Sequence, residues 1–198
     1  MRKLLLVGWL MLPIGAWAYH EGPGQDRVAF EAADAVLVAA HAAFDAGDFA
    51  GAVEKYEAAI GKLPTGEGAV DPALNYRLQL ELNKARMKAS QLPEARDALQ
   101  TLVEQLDADT KADPGLVREA RQALARSQFY KTWLMRLEGL DREAWEPEIE
   151  AARQNYRLLA EQSKDGEQVA EHQGDLEAAI RLARLDIEDL QGLPLPGE

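Results

Sequence analysis

The chain has no cysteine, only three serines and three histidines in 198 residues, 7% aromatic residues, and no excess of positive charge. Each scarcity removes a class of function. Without cysteine there are no disulfides, thiolate metal sites, thiol nucleophiles or lipidated N-terminal cysteine. Lys and Arg number 22 against 34 Asp and Glu, a net charge of −12. An acidic chain lacks the phosphate-neutralising surface on which nucleic-acid affinity depends, so no nucleic-acid partner is expected. It is equally unsuited to lying on an anionic membrane. Ser90, Ser127 and Ser163 sit in or at the ends of helical patterns and none occupies a Gly-x-Ser-x-Gly turn, so a serine nucleophile with its base is not expected. A phosphate loop and a dinucleotide fingerprint are also missing. His20, His41 and His172 are far apart and lack metal-ligand spacing. His41 and Asp45, one helical turn apart, read as an exposed pair rather than two ligands, and His20 is not read as an N-terminal copper chelate. The sequence therefore predicts no enzyme, no metal and no cofactor.

Apolar residues make up 47% of the chain, enough for a packed core. Met1-Arg2-Lys3 gives a positive start, and an uncharged run from Leu4 leads to Ala16-Trp17-Ala18. Small residues at the first and third places before a cut fit a signal peptidase, with Pro13 and Gly15 breaking the helix ahead of it. Residues 1–18 are thus read as a signal peptide cut after Ala18, making Tyr19 the mature start and making the chain more acidic by the loss of Arg2 and Lys3. The run, about 15 residues interrupted by proline, is short against the roughly 20 needed to span a bilayer. The expected location is periplasmic or secreted, with no stable membrane insertion after cleavage.

Residues 19–25 read as a linker by their Gly and Pro content. From Asp26 the hydrophobic period is helical, and no stretch alternates with the two-residue period of a strand. Gly47, the run Pro64 to Gly68, Asp71-Pro72, Pro93, Asp113-Pro114, Gly139 and Asp165-Gly166 divide the rest into seven helices: 26–46, 49–62, 73–90, 93–109, 115–139, 143–163 and 166–191. Asp71 and Asp113 are predicted caps preceding first-turn prolines. Residues 192–198 form a non-helical tail. The fold class is all-α.

Three segments share one register: Ala52…Tyr56…Ala59, Ala95…Leu99…Leu102 and Ala152…Tyr156…Leu159. In each, a small residue is followed four places on by a large one and three places further by an apolar one, all on one helix face. The small residue admits a neighbouring helix and the large one fills the space beside it. The stretch Phe44-Asp-Ala-Gly47-Asp48-Phe49 through Ala52, Tyr56 and Ala59 to Pro64 resembles the turn and second helix of the tetratricopeptide repeat. Val36, Ala39, Ala40 and Ala43 keep the small packing residues of that family's first helix but not its aromatic ones. Ser90-Gln-Leu-Pro-Glu-Ala95 replaces the usual turn. The spacings, 43 residues from Ala52 to Ala95 and 57 from Ala95 to Ala152, exceed the family period of about 34. Trp133 to Gly139 together with Trp145 to Ala160 also resembles exported repeat proteins of planctomycete-type bacteria, a similarity that implies no activity.

The resemblance implies antiparallel helix hairpins stacked as a short solenoid over 26–191, with units at about 33–66, 73–109 and 115–163 and a capping helix at 166–191. It also implies that first helices line a concave groove for an extended peptide. The candidate lining is His41 and Phe44, then Arg77, Leu80, Lys84, Met87 and Lys88, then Arg126, Phe129, Trp133 and Arg136. Arg77, Lys84 and Lys88 are offset by seven and eleven residues, within about 20° of one face. Arg with large apolar groups is the usual make-up of a binding patch, although the favoured reading of Phe129 and Trp133 is burial under the C-terminal helix, with a ligand-facing patch as the alternative. The core stripe of the fifth helix is read as Leu116, Ala120, Ala123, Ser127, Tyr130, Leu134 and Leu137. That of the last is read as Val169, Leu176, Ala179, Ala183, Ile187 and Leu190. Glu146, Glu148 and Glu150 point about 200° apart in succession and read as a solvated acidic helix start. The function expected is a non-catalytic protein-interaction scaffold for an acidic peptide or protein segment, the alternative being a structural subunit of an envelope assembly or a homo-oligomer.

Overall fold

The computed structural model describes residues 23–64, 70–186 and 189–190; the 1–18 signal, residues 19–22 of the expected linker and the 192–198 tail lie outside the described residues. Among the described residues there are seven helices and no strand: α1 Pro23–Asp45, α2 Phe49–Lys62, α3 Pro72–Lys88, α4 Leu92–Ala108, α5 Pro114–Leu137, α6 Arg142–Gln162 and α7 Gly166–Arg184. The breakers therefore stand where the chain turns. Two boundaries differ from expectation. The helix α1 begins at Pro23, inside the stretch read as linker, because proline is tolerated in a first turn. At the other end α7 stops at Arg184, with Leu185 extended, well short of 191.

The turns show why such different sequences end helices alike. Gly47 and Gly139 have φ of 79° and 75°, and Ser90 has 63°. Asp48 N donates to Ala43 O, Gln91 N to Arg86 O and Leu140 N to Met135 O, each spanning five residues back across a left-handed residue in the manner of a Schellman motif. Ser90 thus does the work of Gly47 at a cost of about 1 kcal/mol for a side chain in left-handed backbone. At the following helix starts, Asp48 accepts from Gly51 N and Asp113 from Leu116 N, both at 3.0 Å. Asp71 accepts from Ala73 N at 3.0 Å. A Cβ on Gly51 would lie 2.1 Å from Asp48 Oδ2, so the glycine is what permits that cap.

The chain divides into two compact units, 1–78 and 79–198, the division falling within α3. In the first, α1 packs along α2, and Ala33, Leu63 and Leu78 form a core with Phe30, Leu37, Ile60 and Val70 against it. In the second, α4 packs on α5, α5 on α6 and α6 on α7. Its principal core joins Ala125 and Phe129 of α5, Trp145, Ile149, Ala152, Tyr156 and Leu159 of α6, and Ala178, Ala179 and Leu182 of α7 with Leu190.

Ala52, Ala95 and Ala152 are all fully buried. Counted from their caps, Ala52 and Ala95 hold one position, whereas Ala152 lies two turns deeper and Trp145 stands at the corresponding place. The third hairpin is longer on both limbs: α5 has 24 residues against 17 in α3, and α6 has 21 against 17 in α4. That extension accounts for the wide spacing from Ala95 to Ala152.

The extension also changes which faces are buried. The expected α5 stripe is buried from Leu116 to Ser127. Beyond it the buried positions are Gln128, Phe129, Thr132 and Arg136, while Leu134 and Leu137 are 42% and 41% exposed. Similarly, α7 buries His172, Asp175, Ala178, Ala179 and Leu182 rather than centring on Val169, Leu176 and Ala183. Glu148 is not a solvated acid: it accepts from Arg96 of α4 at 3.0 Å and from Lys131 of α5 at 2.9 Å, joining three helices.

Candidate functional site

The eleven candidate residues divide between the two units, and the structure treats them differently. In the first, His41 is exposed with its ring edge-on to Tyr56 at 5.5 Å. Phe44 is half-buried against Phe49 at 5.4 Å, and Arg77 is half-buried. In the second, Leu80 is in the core, Met87 is half-buried and Lys88 is exposed. Lys84 pairs with Glu81 at 3.2 Å and with Glu119 of α5, so its charge is balanced within the fold.

Phe129 is fully buried, the core alternative for that residue. Arg136, 8% exposed, donates to the carbonyl oxygens of Leu182 and Leu185. Its guanidinium lies 4.9 Å from the Trp145 ring centroid. Burial lowers its pKa, with Asp186 opposing the shift. It thereby satisfies carbonyls that the end of α7 leaves without helical partners.

Arg126 and Trp133 are different. Both are half-buried, and Arg126 Nε and Trp133 Nε1 are shielded from solvent without a hydrogen-bond partner. They are two turns apart on α5, about 10 Å along its axis and nearly on one face. The helix α6 carries Tyr156, whose hydroxyl is also unpartnered in a fully buried side chain, and Arg153, whose Nε is unpartnered. From α7 come His172 Nδ1 and Asp175 Oδ2, again without partners. Every unpartnered buried side-chain polar atom among the described residues is thus on α5, α6 or α7.

Cross-links fix the register of this region. Gln122 of α5 bonds to Glu171 of α7 at 3.0 Å, and Arg136 reaches Leu182 farther along. These side-chain links tie α5 to α7, and both helices pack on α6. Asn155 on α6 bonds to Gln128 of α5 at 3.0 Å. Arg126, Tyr156 and Asp175 are near enough to one another for their charges to interact. Burial, then the Asp175 charge, raises the Tyr156 hydroxyl well above its usual value, with Arg126 opposing. Asp175 is pushed up to about 6 by burial, with Arg126 opposing and Glu171 adding to the rise. His172 is lowered by burial, with Glu171 opposing.

Sequence reading found Arg126 and Trp133 but missed Tyr156, His172 and Asp175. Tyr156 was assigned to packing alone, and the two α7 residues are polar, which sets them off a face defined by apolar residues. The usable signal was their continuity, at spacings of three and four, with buried Ala179 and Leu182.

The fold and site define a class: an all-helical protein with a polar cluster enclosed by three successive helices. No family model, curated protein or solved structure matches the chain. Among the described residues no group of acidic residues, His or Cys is arranged to hold a metal ion, and no helix is long and apolar enough to cross a membrane.

Proposed function

We propose that the protein is a non-catalytic interaction scaffold outside the cytoplasm, built as a short tetratricopeptide-like stack, that holds a peptide or protein segment of acidic character. The observation that carries this reading is the pair Arg126 and Trp133. Each side chain reaches the surface yet keeps an N–H donor buried and unpartnered. Leaving such a donor unsatisfied costs about 1–3 kcal/mol, a penalty that an acceptor on a partner removes. A repeated small–large–apolar register and left-handed turns at Gly47, Ser90 and Gly139 support the stacked-hairpin reading.

The test is binding of fluorescent acidic and basic nonapeptide pools to the protein and to an Arg126→Glu variant. Saturable binding of acidic peptides, lost in the variant, is expected; absence of saturable binding by any pool removes the scaffold reading. The extracytoplasmic location rests on residues 1–18, and mass spectrometry of exported protein should find Tyr19 at its N-terminus rather than Met1.

A specific observation favours a second reading, self-assembly. Leu134, Leu137 and Leu140 are each more than 40% exposed at the extended end of the third hairpin. Large exposed apolar groups brought close together mark protein contacts. Sedimentation that shows a dimer in the protein and a monomer in a Leu134→Glu/Leu137→Glu variant would establish it.

A further inference from the structure

We infer that the first half of α7 is a proton-operated latch: it closes on α6 with Asp175 and His172 both neutral, so closing puts a proton on Asp175 and takes one from His172. The latch goes beyond the scaffold reading and is independent of it.

The buried face of α7 changes character along its length. From Ala178 onward it is apolar, and Ala178, Ala179 and Leu182 share one core with Tyr156 and Leu159 of α6. Before that point the buried residues are His172 and Asp175. They stand three residues apart on one helix face, and His172 Nδ1 and Asp175 Oδ2 are shielded from solvent without hydrogen-bond partners. The same half has weak local support. Asp165 provides no side-chain cap, and the bond from Gln122 to Glu171 is exposed. Gly174 is a poor helix former with open space where a Cβ would stand. The far end is tied down by Arg136, which donates to the Leu182 and Leu185 carbonyls. Segments with little buried apolar surface open locally ahead of global unfolding, and here that segment is the half carrying the two ionisable groups.

Charge decides when it opens. A buried ionised side chain without hydrogen bonds is costly, and opening returns it to water. Burial pushes Asp175 from 3.8 up to about 6, with Arg126 of α5 opposing and Glu171 adding to the rise. Burial lowers His172 from 6.5, with Glu171 opposing. Among the other ionisable groups of this region, Tyr156 of α6 is raised well above its usual value by burial and then by Asp175, with Arg126 opposing and Tyr130 of α5 adding, so it keeps its proton. Arg153 of α6 bonds to Glu150 on its own helix at 2.7 Å. For Asp175 the closed state holds the proton more tightly than the open one, so its help to closure is complete below about pH 4 and is lost as pH rises to about 6. For His172 the closed state holds the proton less tightly, so its help is complete above about pH 6.5 and is lost as pH falls. The two arms oppose each other, and removing either one exposes the other.

The experiment is amide hydrogen exchange between pH 5 and pH 7, divided by the intrinsic rate at each pH. It is read at residues 170–176, with residues 179–183 and α5 as internal references. In His172→Gln, opening at 170–176 should rise roughly tenfold from pH 5 to pH 7. In Asp175→Asn it should fall over the same range, and in the double variant it should stay level. Trends of the same sign in the two single variants, level exchange in either, or equal changes at 179–183 would each overturn the latch. Carbon-13 NMR titration of the protein without substitutions is the second measurement. The Asp175 carboxyl should change protonation near pH 6, and a midpoint near pH 4 would overturn the latch by itself. Neither measurement involves a peptide, so the latch and the scaffold reading fail separately.

Discussion

Single positions in this protein act through space and charge, and two can be tested by themselves. Ala52 is fully buried where a neighbouring helix approaches. Enlarging it to Leu in a close-packed interior should cost roughly 1–3 kcal/mol. Thermal melting of Ala52→Leu should therefore show a clear fall in Tm, and an unchanged Tm would remove the close-packing role. Asp175 acts through charge. Its ordinary pKa of 3.8 is raised to about 6 in the fold, so the folded state holds its proton more tightly than the unfolded chain. Its contribution to stability is consequently most favourable at low pH, declines between about pH 4 and pH 6, and stays unfavourable above that. His172 runs the other way: its lowered pKa makes acidification unfavourable below about 6.5. Comparison with Asp175→Asn isolates the first effect. The variant should be more stable at pH 7 by about 1 kcal/mol after allowing for solvent screening, with the gap closing by pH 4. A gap that is constant with pH would contradict the assignment.

At the level of helices, ends matter as much as faces. The cap residues Asp48, Asp71 and Asp113 all accept from backbone N–H groups where the sequence breaks the preceding helix. The end of α7 is satisfied differently, by a side chain from another helix. Arg136 carries its charge into the second core to reach the Leu182 and Leu185 carbonyls. Arg136→Met keeps an apolar stem but strands both acceptors, and should cost about 2–4 kcal/mol. Urea denaturation measures the loss, and hydrogen exchange should localise it to the last turn of α7. If both are unaffected, the arginine is not what holds that helix end. The same element scale explains the misplaced α5 stripe. The first half of that helix buries one face, but in its extended second half α6 and α7 lie against a different one, so Leu134 and Leu137 emerge while Phe129 and Arg136 turn inward.

Over the whole molecule, charge is the dominant property. A net −12 opposes compaction by self-repulsion, and salt screens such repulsion over a Debye length of about 10 Å at 0.1 M. The cross-helix pairs Lys84–Glu119 and Arg96–Glu148–Lys131 are partly shielded from solvent and are screened less. Raising salt from low to moderate concentration should therefore raise Tm, and a fall would mean that the ion pairs outweigh the repulsion. The division into two units also distributes the candidates. His41, Phe44 and Arg77 belong to one unit, while Arg126, Trp133, Tyr156 and Asp175 belong to the other, on three consecutive helices.

The sequence by itself determined the helical class, the places where helices break, two of the capping aspartates and the small residues at Ala52, Ala95 and Ala152. These are local properties, written in a period of 3.6 residues and in the backbone preferences of Gly, Pro and Asp. Only the tertiary structure decided which side of α5 and α7 is inside. Leu134 and Phe129 are both apolar, and His172 and Asp175 are polar wherever they lie. Their burial follows from which neighbour covers each face, and that neighbour's position was set by the two-turn extension of the third hairpin. Long-range packing, rather than local pattern, therefore brought Arg126, Tyr156 and Asp175 near one another.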